Sequence, residues 1–577
     1  MNLKFYFLKP RLPRQRQYEA VRAAVVDNLP VVDVAEKYNY TSSTVYSLLR
    51  DAKAGKLKLF PLSPIGPTER RTPKVLQKII IKKRKLNMSA QEITESLIAT
   101  GETDISVSTV ERILIDAHFP KLPRRKNSER GITVKNQLIS KRATPLNFDN
   151  LKPFRFDCPT IGIFFFLPYI IESGIIDIIQ KCRLPRSSAI NAKQACISML
   201  LLKLIGKERL SHIKNHGHEP GFGVFAGLNV LPKDSYITTY SCRSSKKTLF
   251  DLQKKIVTHF HNTYPNFYQS NFINLDFHSI PHFGDQAEME NVWCGARGKT
   301  MRGANTIFAQ DSESNLISYT NADILRKDET KEILKFVKYW NSIKGSVKET
   351  LVFDCKLTKY SVLDELNKRG VKFITLRKRG EKLLSGIIEI SNDKWQKLYL
   401  PIPKRKHKAV LVCETEVVLE KCKTKLRQII IKNHGRANPT FIITNNYELS
   451  LKNILIVYAK RWHVENKLAE LVSFFNLNAL TSPLMIRIHF DILWTVVANI
   501  LYYMFAQDLP RFEKARADSI FRKFIDMPGQ IVYDGSSFTI KIRKRAHTPI
   551  LLGVKKLQNG FTVPWLKNKL VKIEWTA

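Results

Sequence analysis

Three carboxylates in the second half of the chain fall where a shared cation site would need them. Asp276 belongs to a short strand predicted over Phe272–Phe277. Asp354 closes the apolar run Thr350–Phe353, the pattern of a strand buried on both faces. Glu465 lies on a helix predicted over Leu451–Phe475. On that helix Tyr458, Arg461 and Glu465 are spaced i, i+3 and i+7, within roughly 60° of one another on a helical wheel. Val457, Val464, Leu468 and Leu471 form the adjacent apolar stripe, so one strip packs while the next presents phenol, guanidinium and carboxylate together. Such acids suit two divalent cations, and Arg461, with its planar fork of donors, suits a phosphate, as does Tyr458. Each acid alone reads as a solvated strand end or a surface helix residue; the joint pattern points to chemistry. Asp285, after the same first strand, competes with Asp276 for its role.

The elements that must position these residues alternate between strand and helix. Strands are predicted over Thr300–Gln310 and Asn315–Asn321, with a turn at Asp311–Ser314, and a helix over Asp328–Ile343. Helix Thr358–Arg369, its stop Gly370 and strand Val371–Leu376 follow Asp354. That unit puts a carboxylate at the C-terminal end of a strand, where open α/β sheets place their sites. Lys397–Leu400, Ala409–Val412 and Gln428–Ile431 are strand-like runs in a β-rich insertion before strand Thr440–Thr444. Phe156–Tyr268 reads as mainly helical, with a Gly-rich interruption at Gly217–Gly227.

The segment YAKRWHVENKLAELVSFF, with Tyr458, Arg461 and Glu465, resembles the Tyr-Arg-Glu-Lys signature of insertion-sequence DDE transposases. LVFDCKLTKYSVLDELNKRGVKFITLRKRG resembles their second-Asp block and NFINLDFHSIPHFGD the first, so that the likeness covers about 271–505. Two positions depart from it. Val472 stands where the family has Lys, with Lys467 on a different face, and His278, followed by Ser279, stands where members often have Thr or Ser. The resemblance implies an RNase H-like core, a mixed sheet flanked by helices and carrying the β-rich insertion. It implies that Asp276, Asp354 and Glu465 hold two Mg²⁺ (or Mn²⁺) ions about 3.5–4 Å apart for in-line phosphoryl transfer. Tyr458 and Arg461 would orient the DNA backbone; Trp462 reads either as a platform for a flipped base or as packing.

Composition agrees with a DNA partner. Ninety-four Lys and Arg against 51 Asp and Glu give a formal charge of +43, spread along the chain rather than confined to a tail. Such a surface binds polyanions through phosphate neutralisation and counterion release. The N-terminal part reads as two all-α helix-turn-helix units. In the first, Arg14–Asn28 and Val31–Tyr38 precede a helix over Ser42–Asp51, capped by Thr41, that leaves Ser42, Ser43, Tyr46 and Arg50 free to meet DNA. In the second, Lys74–Lys85 and Ser89–Thr100 precede Ser106–Ala117, which carries Arg112; Thr109–Leu114 aligns with Thr44–Leu49.

The expected organisation is 1–60 and 61–126 as the two helix-turn-helix units, 127–155 as a basic linker and 156–270 as a helical domain. The core follows over 271–381 and 436–506, interrupted by the insertion 382–435, with a C-terminal region over 507–577. The eight cysteines have no CxxC spacing and read as reduced residues, and His212, His216 and His218 read as a polar loop rather than a metal site. Ile161–Ile179 and Ile492–Ala506 read as buried helices, and Asn2–Pro10 lacks the apolar stretch of a signal peptide. The function expected is a transposase that binds the terminal inverted repeats of its element, cleaves the ends and transfers them to target DNA. It would act as a homodimer on double-stranded DNA, away from membranes, in the cytoplasm and associated with the nucleoid of a prokaryote. The alternatives are a transposase-derived DNA-binding protein with an impaired core, and a nuclease on the same fold.

Overall fold

Thr41 sets where the helix over Ser42–Lys53 begins: its hydroxyl accepts a hydrogen bond from the backbone N of Thr44 at 3.3 Å. The structure, a computed structural model, describes residues 10, 12–57, 59–60, 72–101, 105–123, 142–284, 289–401, 408–480 and 482–576. The chain divides into two units, Met1–Gln77 and Lys78–Ala577. In the first, α1 (Pro13–Val25), α2 (Val31–Lys37) and α3 (Ser42–Lys53) close around Ala20, Ala23, Val34, Ala35, Tyr38 and Val45. Ser43, Tyr46 and Arg50 of α3 remain exposed and Ser42 is partly so.

The division falls inside α4 (Lys74–Lys85), which leads to α5 (Ala90–Ala99) and α6 (Val107–Asp116). Ser89 and Glu92 form a capping box at the start of α5. Ser106 caps α6 by accepting from Thr109 N at 3.3 Å, repeating the geometry at Thr41. Within the larger unit this group is tied to the helices downstream: the Asn87 side-chain amide donates to Cys242 O at 2.7 Å.

The larger unit is a mixed α/β body with two sheets among its described residues. The first strand, β1 (Phe154–Cys158), opens a stretch otherwise helical up to Thr263, including α7 (Ala192–Leu204) and α8 (Lys246–Thr263). Phe156–Cys158 thus belongs to a strand rather than to the expected helical segment. Then come β2 (Phe272–Pro281), β3 (Asn291–Cys294), β4 (Lys299–Asp311) and β5 (Ile317–Asn321), α9 (Glu332–Lys344), β6 (Thr350–Phe353), α10 (Tyr360–Lys368) and β7 (Phe373–Leu376). β2 pairs antiparallel with β4 and parallel with β6, β4 pairs antiparallel with β5, and β6 pairs parallel with β7. β6 is buried at every position, as its unbroken apolar run requires.

The insertion does not stand apart. Its strands β8 (Gln396–Tyr399), β9 (Ala409–Leu419) and β10 (Cys422–Lys432), with β11 (Thr440–Thr444), extend the same sheet to ten strands, β11 lying against β7. β9 and β10 are longer than their apolar runs. Their outer halves alternate charge, and Arg427 pairs with Glu414 and Lys425 with Glu416 across the strands.

Beyond β11 the chain forms α11 (Leu451–Lys460), α12 (Trp462–Ser473) and α13 (Met485–Gln507). The single helix expected over Leu451–Phe475 is interrupted at Arg461, whose N–H is shared between Val457 O and Tyr458 O, both at 3.2 Å. α13 is long and apolar enough to cross a membrane, yet its side chains are almost all buried within the protein. The second sheet joins β1 to β12 (Gly529–Tyr533), β13 (Phe538–Arg543), β14 (Phe561–Val563) and β15 (Lys569–Thr576), in the order β1-β12-β13-β15-β14. Gly162 allows the backbones to meet beside this sheet: a Cβ there would lie 2.6 Å from Ile525 O. All eight cysteines are free.

Candidate active site

Leu275 of β2 is paired with Phe353 of β6, so the next residues, Asp276 and Asp354, stand side by side on neighbouring strands. β2 runs on past Asp276, whereas β6 ends just before Asp354. Asp276 Oδ1 accepts from Phe277 N at 2.8 Å and Asp354 Oδ1 from Lys356 N at 2.9 Å. These bonds leave the second oxygen of each carboxylate for other partners.

α12 lies over β2, held by Gln310, whose side-chain amide reaches His463 O at 3.4 Å. Arg461, at the junction of α11 and α12, points its fork at both acids: Nη1 donates to Asp276 Oδ2 and Nη2 to Glu465 Oε1, each at 2.9 Å. The Tyr458 ring centroid lies 5.9 Å from the guanidinium carbon. The structure therefore brings together Asp276, Asp354, Tyr458, Arg461 and Glu465, with Arg461 standing between the strand acids and the helix acid. Val464 and Leu471 are buried beneath and Leu468 nearly so, the packing strip that the spacing requires.

Electrostatics follow from this crowding. Burial pushes the Asp276 carboxyl up to about 6, Asp354 and Glu465 push the same way, and Arg461 opposes them. Burial, aided by the charge of Asp354, lifts the Tyr458 phenol to about 12. Burial opposes the charge on Arg461, but the surrounding oxygens outweigh it and its pKa is raised. Three carboxylates with one guanidinium make a site short of positive charge.

Three hard oxygen donors suit Mg²⁺ or Mn²⁺. Among the described residues, however, no group of three His, Cys, Asp or Glu is arranged to hold a metal ion. Arg461 lies between two of these acids, its fork spanning from Asp276 Oδ2 to Glu465 Oε1. The donor set fits a divalent ion by its chemistry.

No family model matches the chain, and no curated protein does. A cryo-EM structure of a piggyBac transposase synaptic complex with hairpin DNA matches at a TM-score of 0.34 and 11% identity, over 67% of this chain and 83% of that one.

Trp462 follows Arg461 and is 56% exposed. Ser42, Ser43, Tyr46 and Arg50 belong to the first unit, and Arg112 is exposed on α6. Asp285 lies outside the described residues. Val472 is partly buried against the main core, and Lys467 pairs with Glu470 at 2.7 Å, away from the acids.

Sequence reading missed three sets of neighbours. His278 is partly buried and its Nε2 meets Asn478 Oδ1 at 2.7 Å; desolvation holds its pKa low despite that bond. Lys356 lies 4.4 Å from the Phe277 ring centroid and 3.2 Å from Glu329 Oε1. Lys378 and Arg379, just past β7, are close enough for their charges to act on the Cys355 thiol beside Asp354. The Lys and Arg cluster after β7 was the available signal for this basic rim.

Proposed function

We propose that the chain is a DDE-type DNA transposase that binds the ends of a mobile element, cleaves them and joins them to target DNA by metal-dependent phosphoryl transfer. The observation that carries the reading is the fork of Arg461 between Asp276 and Glu465, with Asp354 in register beside Asp276. The strand order β5-β4-β2-β6-β7, with one antiparallel and one parallel half, supports an RNase H-like core. Asp276, Asp354 and Glu465 would hold the two divalent ions, which when bound supply a Lewis acid for the attacking and leaving oxygens.

The chain's own residues do the remaining work. Arg461 holds Asp276 and Glu465 through the two arms of its fork, and its Nε is buried with no hydrogen-bond partner among the described residues. Tyr458, its phenol pushed up to about 12 by burial, is an O–H donor at neutral pH and well above it. Lys378 and Arg379 extend the positive rim on which a DNA backbone would lie. The exposed residues of α3 and Arg112 of α6 support reading the two three-helix groups as helix-turn-helix units for the element's inverted repeats. Action as a homodimer on double-stranded DNA, in the cytoplasm and on the nucleoid of a prokaryote, belongs to the same proposal.

A second reading, a transposase-derived DNA-binding protein with an impaired core, draws on Val472. It is packed against the core where the family resemblance asks for Lys.

The test is incubation of the full chain with Mg²⁺ and DNA bearing the sequences that flank its own gene. Wild type should cleave at the ends, and Asp354→Asn should bind them without cleaving. Equal cleavage by that variant sinks the catalytic assignment; binding without cleavage by wild type favours the second reading.

A further inference from the structure

β4, the antiparallel partner of the strand that carries Asp276, runs on into a β-hairpin that the proposed chemistry does not use. β3 pairs antiparallel with the first residues of β4, Trp293 opposite Thr300 and Asn291 opposite Arg302. Val292 and Cys294 are buried, whereas Trp293 on the other face is 61% exposed. Phe283, 60% exposed, lies beside the hairpin with the Arg297 guanidinium 5.3 Å from its ring centroid. From Asn291 to Gly303 the sequence holds Arg297, Lys299 and Arg302 and no acid.

Register relates this hairpin to the acids. Asp276 is opposite Phe308 and His278 opposite Thr306. Residues directly opposite in an antiparallel pair share a face, and alternate residues along one strand share it too. Thr300, Arg302, Ala304, Thr306 and Phe308 therefore lie on one face of β4, and Trp293 shares it with Asp276 and His278. It is the face that α12 covers, since Gln310 and His278 contact α12 and the turn after it. Eight residues of β4 separate the level of Trp293 from that of Asp276, a distance of about 26 Å, or about eight base-pair steps of DNA.

An uncovered indole on a basic hairpin, on the face of the acids, matches how proteins hold single-stranded or unstacked bases: an aromatic platform within positive charge. We propose that Trp293 is a stacking platform for an unpaired DNA base about eight steps from the strand held at Asp276, with Phe283 and Arg297 bracing the hairpin. This rests on the DNA-processing reading above, and it adds a contact with the bases to one with the phosphates.

The test uses the full chain in EDTA, so that cleavage plays no part. The probes are a 30-base-pair duplex of arbitrary sequence and the same duplex with one unpaired 2-aminopurine. Wild type should bind the second about tenfold more tightly, within the range that stacking one base on an aromatic is worth, and should quench its fluorescence. Trp293→Ala should lose both effects, Trp293→Phe should keep part of them, and the intact duplex should bind all three equally. Trp293 being exposed, the variants should melt as wild type does. An undiminished preference in Trp293→Ala overturns the proposal. Loss of self-association by that variant on light scattering, with base preference intact, also overturns it and assigns the indole to a protein contact. Cleavage by wild type in Mg²⁺, measured separately, decides the catalytic reading, so the failure of either reading leaves its own signature.

Discussion

Arg461 and Asp276, 185 residues apart in sequence, are joined by a hydrogen bond of 2.9 Å, and the same guanidinium reaches Glu465 at 2.9 Å. Asp276 and Arg461 are about 15% and 14% exposed, so water screens their pair only weakly. The cation is thus a structural part of the site as it stands.

Removing it should leave neighbouring acids uncompensated. Arg461→Met is expected to lower stability in EDTA by about 3 kcal/mol, the scale for breaking a largely buried pair, as measured by urea unfolding. Millimolar Mn²⁺ should then raise the melting temperature of the variant more than that of wild type. Equal shifts for the two would show that Arg461 does not hold the place of a cation.

The raised pKa of Asp276 carries a pH signature. Its folded value is about 6, against about 4 for a free aspartate. Between those values the folded state keeps a proton that the unfolded state has released. The contribution of this group is therefore fully present below pH 4 and is lost as pH rises through 6, by about 3 kcal/mol in all. Asp276→Asn should lack this dependence, so its stability relative to wild type should improve steadily from pH 4 to pH 7. Parallel urea-unfolding curves in EDTA at four pH values would measure it; a constant difference would refute it.

In the N-terminal unit, stability and DNA contact should separate. Thr41→Ala removes the cap of α3 and should cost about 1 kcal/mol, seen by amide exchange in α3. Arg50 is exposed and, among the described residues, pairs with partly exposed Asp51, a pair worth little. Arg50→Ala should leave exchange unchanged and reduce the slope of log affinity against log salt by about one.

Gly303 lies at the base of the β3–β4 hairpin, where an added Cβ would stand 2.6 Å from Ile280 O and 2.9 Å from a methyl group of Val292. Gly303→Ala should lower stability by about 1–3 kcal/mol, the scale of overpacking. It should also displace β3, so that the preference for an unpaired base falls as it does in Trp293→Ala. Unchanged melting would mean that the hairpin gives way freely and does not aim the indole.

The site was legible in the sequence wherever a local pattern encoded it. The buried strand ending on Asp354 lies in the described fold as read, whereas Tyr458, Arg461 and Glu465 come together across a break between two helices rather than along one. What spacing could not convey is how charged groups settle once packed: Arg461 fits a phosphate or a carboxylate equally, and its choice of Asp276 depends on a strand far away in the chain. The insertion shows a related limit. β9 and β10 continue past their apolar runs because cross-strand pairs such as Arg427 with Glu414 hold them, and such pairs carry no hydrophobic periodicity. The sequence of β1 reads as the start of a helical stretch because its partner, β12, lies far downstream.

That partnership has a kinetic consequence. Arg155 of β1 and Gln530 of β12 are hydrogen-bonded across 375 residues, so the second sheet closes only after almost everything between has been synthesised and collapsed. Contacts of such sequence separation slow folding and prolong the exposure of unpaired strand edges. Refolding from denaturant should therefore be slow and concentration-sensitive. A nascent chain halted before Gly529 would hold β1 without its neighbour, which makes that edge a natural target for a chaperone.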